Sequence, residues 1–215
     1  MPQCCRPGDF DDVFDEARAA GDARTYGRRG LDREARAIVR TLRERGVTGW
    51  SVLEVGGGVG AIQVELLRAG AAHATNVELS LGYENAAREL LARSGLEGRV
   101  DRRIGDFVAA APTLGTADAV VLHRVVCCYA DVDALVGAAA RAAAHELLIT
   151  APVDRWWARA AGGVVNALFA LRRSKFRFYV HPASAIRTAA EREGLRAVFR
   201  EGRLVWQLLA FARQL

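Results

Sequence analysis

Residues 52–60 read VLEVGGGVG, a short apolar run that ends in a cluster of glycines. Val52, Leu53 and Val55 suit a buried strand, and Ile62, Leu66 and Leu67 then share one helical face up to Gly70. A glycine turn between a strand and a helix lets the backbone approach a ligand closely. It also offers the free N–H groups of the helix start. Alone, such a turn suits many nucleotide-binding chains. It fits the dinucleotide pattern G-x-G-x-x-G/A through Gly56, Gly58 and Ala61.

The rest of the chain repeats the same alternation. His73–Leu79, Arg99–Ile104, Asp118–Leu122 and His145–Thr150 read as strands. Helical spacing over 83–94 and 131–143 separates them. Strands alternating with helices imply an α/β fold, a mostly parallel sheet with helices on both faces. The last third breaks the rhythm. An apolar helix over 155–171 leads to the basic-aromatic run RRSKFRFYV (172–180), then to a helix from Pro182 to Gly194. Arg196–Arg200 and Leu204–Ala212, joined across Glu201-Gly202-Arg203, read as a hairpin, so the sheet ends in an antiparallel strand. The expected organisation is an N-terminal tail and helical cap (1–45) ahead of one core (46–215), with 151–181 inserted as a lid. Residues 1–9, with two prolines and a glycine, read as loose.

Acids at successive strand ends narrow the ligand. Glu54 sits inside the first strand, where its carboxylate can face a cationic amino-acid group and would be badly placed beside a pyrophosphate. Glu78 ends the second strand, where it can accept both hydroxyls of a ribose. Asp106 follows the third strand in Gly105-Asp106-Phe107, where it can accept an adenine amino group. The plainer reading has these acids capping helices or facing solvent. Together, the glycine motif, the acid in NVELS (76–80) and the GDF triplet resemble the class I S-adenosylmethionine (SAM) dependent methyltransferases. The resemblance covers about residues 30–150, and the terminal hairpin supports it. It implies a Rossmann-like sheet of seven strands, the last antiparallel. It implies SAM as cofactor and S-adenosylhomocysteine as product. Glu54, Gly56, Gly58 and Gly60 would cradle the methionine part, Glu78 the ribose, and Asp106 with Phe107 the adenine. Helices ahead of the core often cover SAM in this family, so Tyr26 and Arg28, in the linker of the 10–45 segment, are candidates to close the site.

The segment after the fourth strand, LHRVVCCYAD (122–131), is similar to the corresponding segment of small-molecule methyltransferases. There the resemblance puts Cys127 in the slot of a histidine base. His123, Cys127 and Tyr129 are therefore the catalytic candidates, with Cys128 beside them, and His123 also a neighbour of the cofactor. Methyl transfer by proximity needs no base unless the nucleophile is a neutral hydroxyl. The vicinal pairs Cys4-Cys5 and Cys127-Cys128 chelate poorly, since thiolate metal sites use C-x2-C spacing, so no metal is expected.

The overall layout is weakly similar to that of magnesium-protoporphyrin O-methyltransferases. By that placement the 151–181 insertion would build the acceptor pocket. Trp156, Trp157, Phe169, Phe176, Phe178 and Tyr179 would suit an apolar or aromatic small molecule, and Arg172, Arg173, Lys175 and Arg177 an acidic group on it. Residues 155–180 also read as a helix lying on a membrane surface. The net charge of +5 points weakly to nucleic acid. However, 29 of the 30 basic residues are arginines spread along the chain, and no base-flipping motif follows strand four. The cytoplasm is the expected compartment, because residues 1–20 carry no apolar stretch of a leader. A nicotinamide-dependent oxidoreductase on the same glycine loop and a non-catalytic SAM-binding protein are the alternatives.

Overall fold

A computed structural model describes residues 8, 10–202 and 204–214. Helices α1 (Glu16–Arg29) and α2 (Arg33–Glu44) precede β1 (Ser51–Val55), α3 (Ala61–Arg68), β2 (His73–Glu78) and α4 (Glu84–Ser94). There follow β3 (Val100–Ile104), the one-turn α5 (Phe107–Ala110), β4 (Ala117–His123), α6 (Val132–Ala142) and β5 (Ala143–Pro152). The chain ends with α7 (Trp156–Leu171), α8 (Ala183–Arg192), β6 (Leu195–Gly202) and β7 (Trp206–Arg213).

The seven strands form one sheet in the order β3-β2-β1-β4-β5-β7-β6. The first five run parallel, and β7 runs antiparallel to both β5 and β6. β4 shows why the centre is apolar throughout. Val120 and Leu122 enter the core under α6 and α8, whereas Ala119 and Val121 enter the core under α2, α3 and α4. A strand buried on both faces cannot alternate with polar residues. The outer strand β3 carries the exposed pair Asp101 and Arg103 instead, charges that blunt a sheet edge, while Arg102 turns inward and donates to Glu84 at 3.0 Å.

The order reverses beside β1. Strands β2 and β3 step away on one side, β4 and β5 on the other. A crevice therefore opens over the C-terminal ends of β1 and β4, where doubly wound sheets bind ligands.

Three boundaries differ from the sequence reading. The N-terminal segment is two helices, broken at Gly30, whose φ of 70° ends α1. Tyr26 and Arg28 lie within α1 and not in a linker. The β6–β7 turn lies further along the chain, since Gly202 pairs with Gln207 and Leu204 and Val205 fall in the turn. Cys4, Cys5, Arg203 and the tail before Gly8 lie outside the described residues.

Candidate active site

The crevice holds a cavity of about 470 Å³. Its floor is the turn from Glu54 to Val59, and its geometry demands glycine. Gly56 and Gly58 have φ of 60° and 56°. A Cβ on Gly56 would lie 2.7 Å from Val125 Cγ2, and one on Gly58 3.1 Å from the Tyr83 ring. Gly60 then starts α3 with no side-chain cap. The amides at that end are left for a ligand or water.

Glu54 is 1% exposed and lines the cavity. Its register partner is Asn76 on β2. Burial pushes its carboxyl up to about 8, against the opposing effects of the Gln63 N–H and the Arg102 charge. Its Oε2 and the side-chain amides of Gln63 and Asn76 are buried with no hydrogen-bond partner among the described residues. That one carboxyl oxygen, buried beside the cavity, is left without a donor.

The other two strand-end acids are well held. Glu78 Oε2 accepts from the Gly58 N–H at 2.8 Å, which ties β2 to the glycine turn. Its Oε1 accepts from the Leu79 and Ser80 N–H groups at 2.8 and 3.0 Å. Asp106 caps α5 by accepting from the Val108 N–H at 2.9 Å, and the Tyr129 hydroxyl donates to it at 3.2 Å. Glu54, Gly56, Gly58, Glu78, Asp106, Phe107, His123, Tyr129 and Tyr26 all line this one cavity. Tyr129 thus stands with Asp106, away from His123's partners.

The end of β4 is organised differently from the sequence reading. Arg124 is a non-glycine residue with φ of 60°, so the chain reverses sharply there. The short 3-10 turn Val126–Cys128 then buries Cys127, whose thiol meets the Arg124 carbonyl at 3.2 Å. Cys127 is off the cavity wall and Cys128 is on it. The two sulfurs are 3.7 Å apart and not bonded to each other. No cluster of three metal-ligating side chains exists among the described residues.

Both ring nitrogens of His123 are engaged. Nε2 faces Asp32 Oδ2 at 3.2 Å, and Nδ1 meets Thr150 Oγ1 at 3.0 Å. Burial acts to raise the Asp32 carboxyl. The His123 hydrogen bond and charge, the Ala35 N–H and Arg124 outweigh it and hold that carboxyl well below its usual range. An ionised carboxylate only accepts, so Nε2 carries the proton. The Thr150 hydroxyl, itself accepting from the Arg124 N–H at 2.8 Å, donates to Nδ1. Sequence reasoning missed both Asp32, which in the structure caps α2, and Thr150, which it placed only as the last residue of a strand.

The cap closes the cavity from above. Phe10, Phe14, Arg18, Asp22, Tyr26, Leu31 and Asp32 line it. The Tyr26 hydroxyl donates to Glu65 at 2.5 Å, and burial, with Glu65, pushes its pKa up to about 12. The Tyr83 hydroxyl donates to Asp22 at 2.7 Å. Residues 151–181, by contrast, contribute nothing to the wall. Phe176 instead packs edge-on against the outer side of Phe10 and Phe14.

The chain's similarities agree with this geometry. Residues 53–146 match the model of a family described as a methyltransferase domain. A magnesium protoporphyrin IX methyltransferase from Synechocystis, solved with bound S-adenosylhomocysteine, shares the fold with a TM-score of 0.73 at 18% identity. That match covers 94% of this chain and 97% of the other. An O-methyltransferase family protein from Burkholderia thailandensis matches at TM-score 0.65 and 22% identity, over 94% of this chain and 63% of that one. A dimethyltransferase of 8-amino-8-demethyl-riboflavin from Streptomyces davawensis matches at 0.57 and 23%, over 80% and 51%. No curated protein matches the sequence.

Proposed function

We propose that residues 53–146, which match the model of a methyltransferase-domain family, form a class I SAM-dependent methyltransferase domain, and that the chain methylates an O or N atom of a small, apolar or aromatic acceptor. SAM is the cofactor. The observation that carries the reading is the convergence on one cavity of Glu54, whose buried Oε2 has no hydrogen-bond partner among the described residues, a turn that only glycine fits, and acids from the next two strand ends.

These residues suit the cofactor part by part. Glu54 and the turn Gly56–Gly60 would hold its amino-acid end, since an ammonium supplies the donor that Glu54 Oε2 lacks. Glu78 keeps acceptor capacity for ribose hydroxyls beyond its three backbone bonds, because each carboxylate oxygen has two lone pairs. Asp106 and Phe107 would hold the adenine. When bound, SAM supplies a methyl group on an electrophilic sulfonium. A pyrophosphate in its place would lie against Glu54, which disfavours the nicotinamide reading.

The acceptor side rests on the cap. Phe10, Phe14, Leu31 and Ala35 make an apolar wall, and Val125 and Cys128 face them. Such a wall excludes water and holds an acceptor in line, which supports catalysis largely by proximity. His123 gives up a hydrogen bond if it takes a proton at Nδ1. We therefore assign it the role of a positioning residue that fixes the cap through Asp32.

Calorimetric titration tests the reading. SAM and S-adenosylhomocysteine are expected to bind with one site per chain and NAD not at all. At about 100 times its Kd, SAM adds roughly 2.7 kcal/mol to the unfolding free energy. A folded protein that takes up NAD and not SAM would overturn the proposal.

A further inference from the structure

Helix α7 breaks the rule that a surface helix is polar on its outer side. It has sixteen residues, WWARAAGGVVNALFAL, of which only Arg159 and Asn166 are polar. Both are already partnered. Arg159 pairs with Asp154 at 2.6 Å. Asn166 turns inward and exchanges two hydrogen bonds with the Phe178 backbone, at 2.7 and 2.8 Å. Ala158 and Gly162 are the buried positions, and Gly162 sits close against the Phe178 ring.

The opposite side presents Trp156, Val164, Leu168 and Leu171, which are 81%, 62%, 54% and 82% exposed. Their spacing of eight, four and three places them on one stripe. Val205, whose carbonyl accepts from the Val153 N–H at 2.9 Å, brings the exposed Leu204 to the same end as Trp156. An apolar stripe of this length on an otherwise ordinary surface marks an interaction site. No described helix is long and apolar enough to cross a membrane, and α7 at about 24 Å is shorter than a span requires.

Charge identifies the occupant. Between Asp154 and Glu191 the chain has six arginines, one lysine and no acid. Arg172 and Arg173, both exposed, follow directly on Leu171 at the end of the stripe. Two copies of this helix face to face would crowd cationic ends with no acid between residues 155 and 190 to answer them, and Asp154 is already paired. An anionic lipid surface answers both halves of the pattern: acyl chains for the stripe and phosphates for the guanidinium groups.

We propose that α7 docks the chain on the surface of an anionic bilayer, its apolar stripe at the headgroup–acyl boundary and Arg172 and Arg173 on the lipid phosphates. The docked face lies behind Phe176, which packs on Phe10 and Phe14 of the cavity wall. The surface is thereby next to the route by which an apolar acceptor would arrive. The docking itself is independent of the methyltransferase reading.

Co-sedimentation of the full chain with vesicles tests it. Vesicles of phosphatidylcholine mixed with phosphatidylglycerol are expected to carry the chain down, and vesicles of phosphatidylcholine alone to leave most of it in solution. Added salt should weaken the capture. R172E/R173E should lower the partition coefficient by at least about tenfold, and L168S/L171S by a similar factor. Both variants alter exposed residues, and an unchanged thermal shift with S-adenosylhomocysteine establishes that they fold. Equal capture by both vesicle types, no capture, or variants that bind as the parent does would each overturn the proposal. A concentration-dependent dimer that L168S/L171S abolishes would overturn it as well and assign the stripe to a second copy.

Discussion

The cap and the insertion both flank the cavity, yet they are attached by different physics. The cap is fastened by polar bonds to strand ends. Phe14's carbonyl accepts from Ser80, Asp22 from Tyr83, Asp32 from His123, and Glu34 from Arg124 at 3.2 Å. The insertion is held by the Phe176 ring against Phe10 and Phe14 and by a few bonds to backbone, such as Tyr179 N–H to the Cys127 carbonyl at 2.7 Å. Directional bonds fix a wall in one geometry, whereas ring contacts tolerate sliding. The region that lines the site is the one with the directional bonds. A composition rich in aromatics is therefore a poor guide to which segment forms a pocket.

The largest effect is expected where the site's two halves depend on one side chain. Glu78→Ala removes the acceptor for three backbone N–H groups as well as any bond to the cofactor. With roughly 1.5 kcal/mol or more for each charged hydrogen bond, SAM affinity should fall by at least about a hundredfold in calorimetry. The far-UV circular dichroism should stay that of the parent. An affinity within a few-fold of the parent's would show that the glycine turn holds its shape without Glu78.

Next comes a pH effect confined to the cofactor half. The Glu54 carboxyl titrates near 8 in the free protein because burial disfavours its charge. A bound ammonium favours the carboxylate, so binding releases a proton below pH 8. SAM affinity should therefore rise as pH rises from 6 to 8, by up to about tenfold per unit. Calorimetry in two buffers of different ionisation enthalpy reads the released proton directly, and Glu54→Gln should abolish it. The same shift acts on the free fold in the opposite sense. A carboxyl raised in the folded state stabilises most below its unfolded value of 4.5, and that contribution is lost as pH rises through about 8.

That the three acids meet at one cavity was legible because each sits where a strand ends beside a short loop. Glu54, Glu78 and Asp106 need only their own strands to be placed. The acceptor half was not, because its placement depends on contacts far apart in the chain. Asp32 spends one oxygen on the Ala35 N–H, a local cap of α2. Only the fold brings its other oxygen to His123, ninety-one residues away. Cys127, expected in the slot of a base, lies off the cavity wall for a local reason. The left-handed Arg124 and the turn after it shift the inward-facing residue by one, which exchanges Cys127 for Cys128 on the wall. The insertion helix was correctly bounded, but its apolar residues turn away from the cavity, and periodicity cannot say which neighbour an apolar face meets.

Two smaller effects set the cap against the insertion. Asp32→Asn keeps a good N-cap and removes only the charge that faces His123 and Arg124. Asp32 is partly exposed, so the loss should be about 1 kcal/mol, or a fall of roughly 2–4 °C in Tm. Its carboxyl is depressed in the folded state, so this contribution is present above the unfolded value of 3.8 and vanishes as pH falls below it. Parent and variant should thus differ in Tm at pH 7 and converge in acid. A difference that persists in acid would mean that Asp32 acts by packing and not by charge.

Trp156→Ala should do least. The ring is 81% exposed and touches none of the cavity wall, so stability should change by no more than about 0.5 kcal/mol, with SAM affinity unchanged. Set beside Asp32→Asn, it separates the two flanks by their attachment, since the smaller side chain is the one that matters to the site. A loss of SAM affinity in Trp156→Ala would break the distinction. It would mean that α7 communicates with the cavity through Phe176 and the cap, and that the insertion shapes the site without lining it.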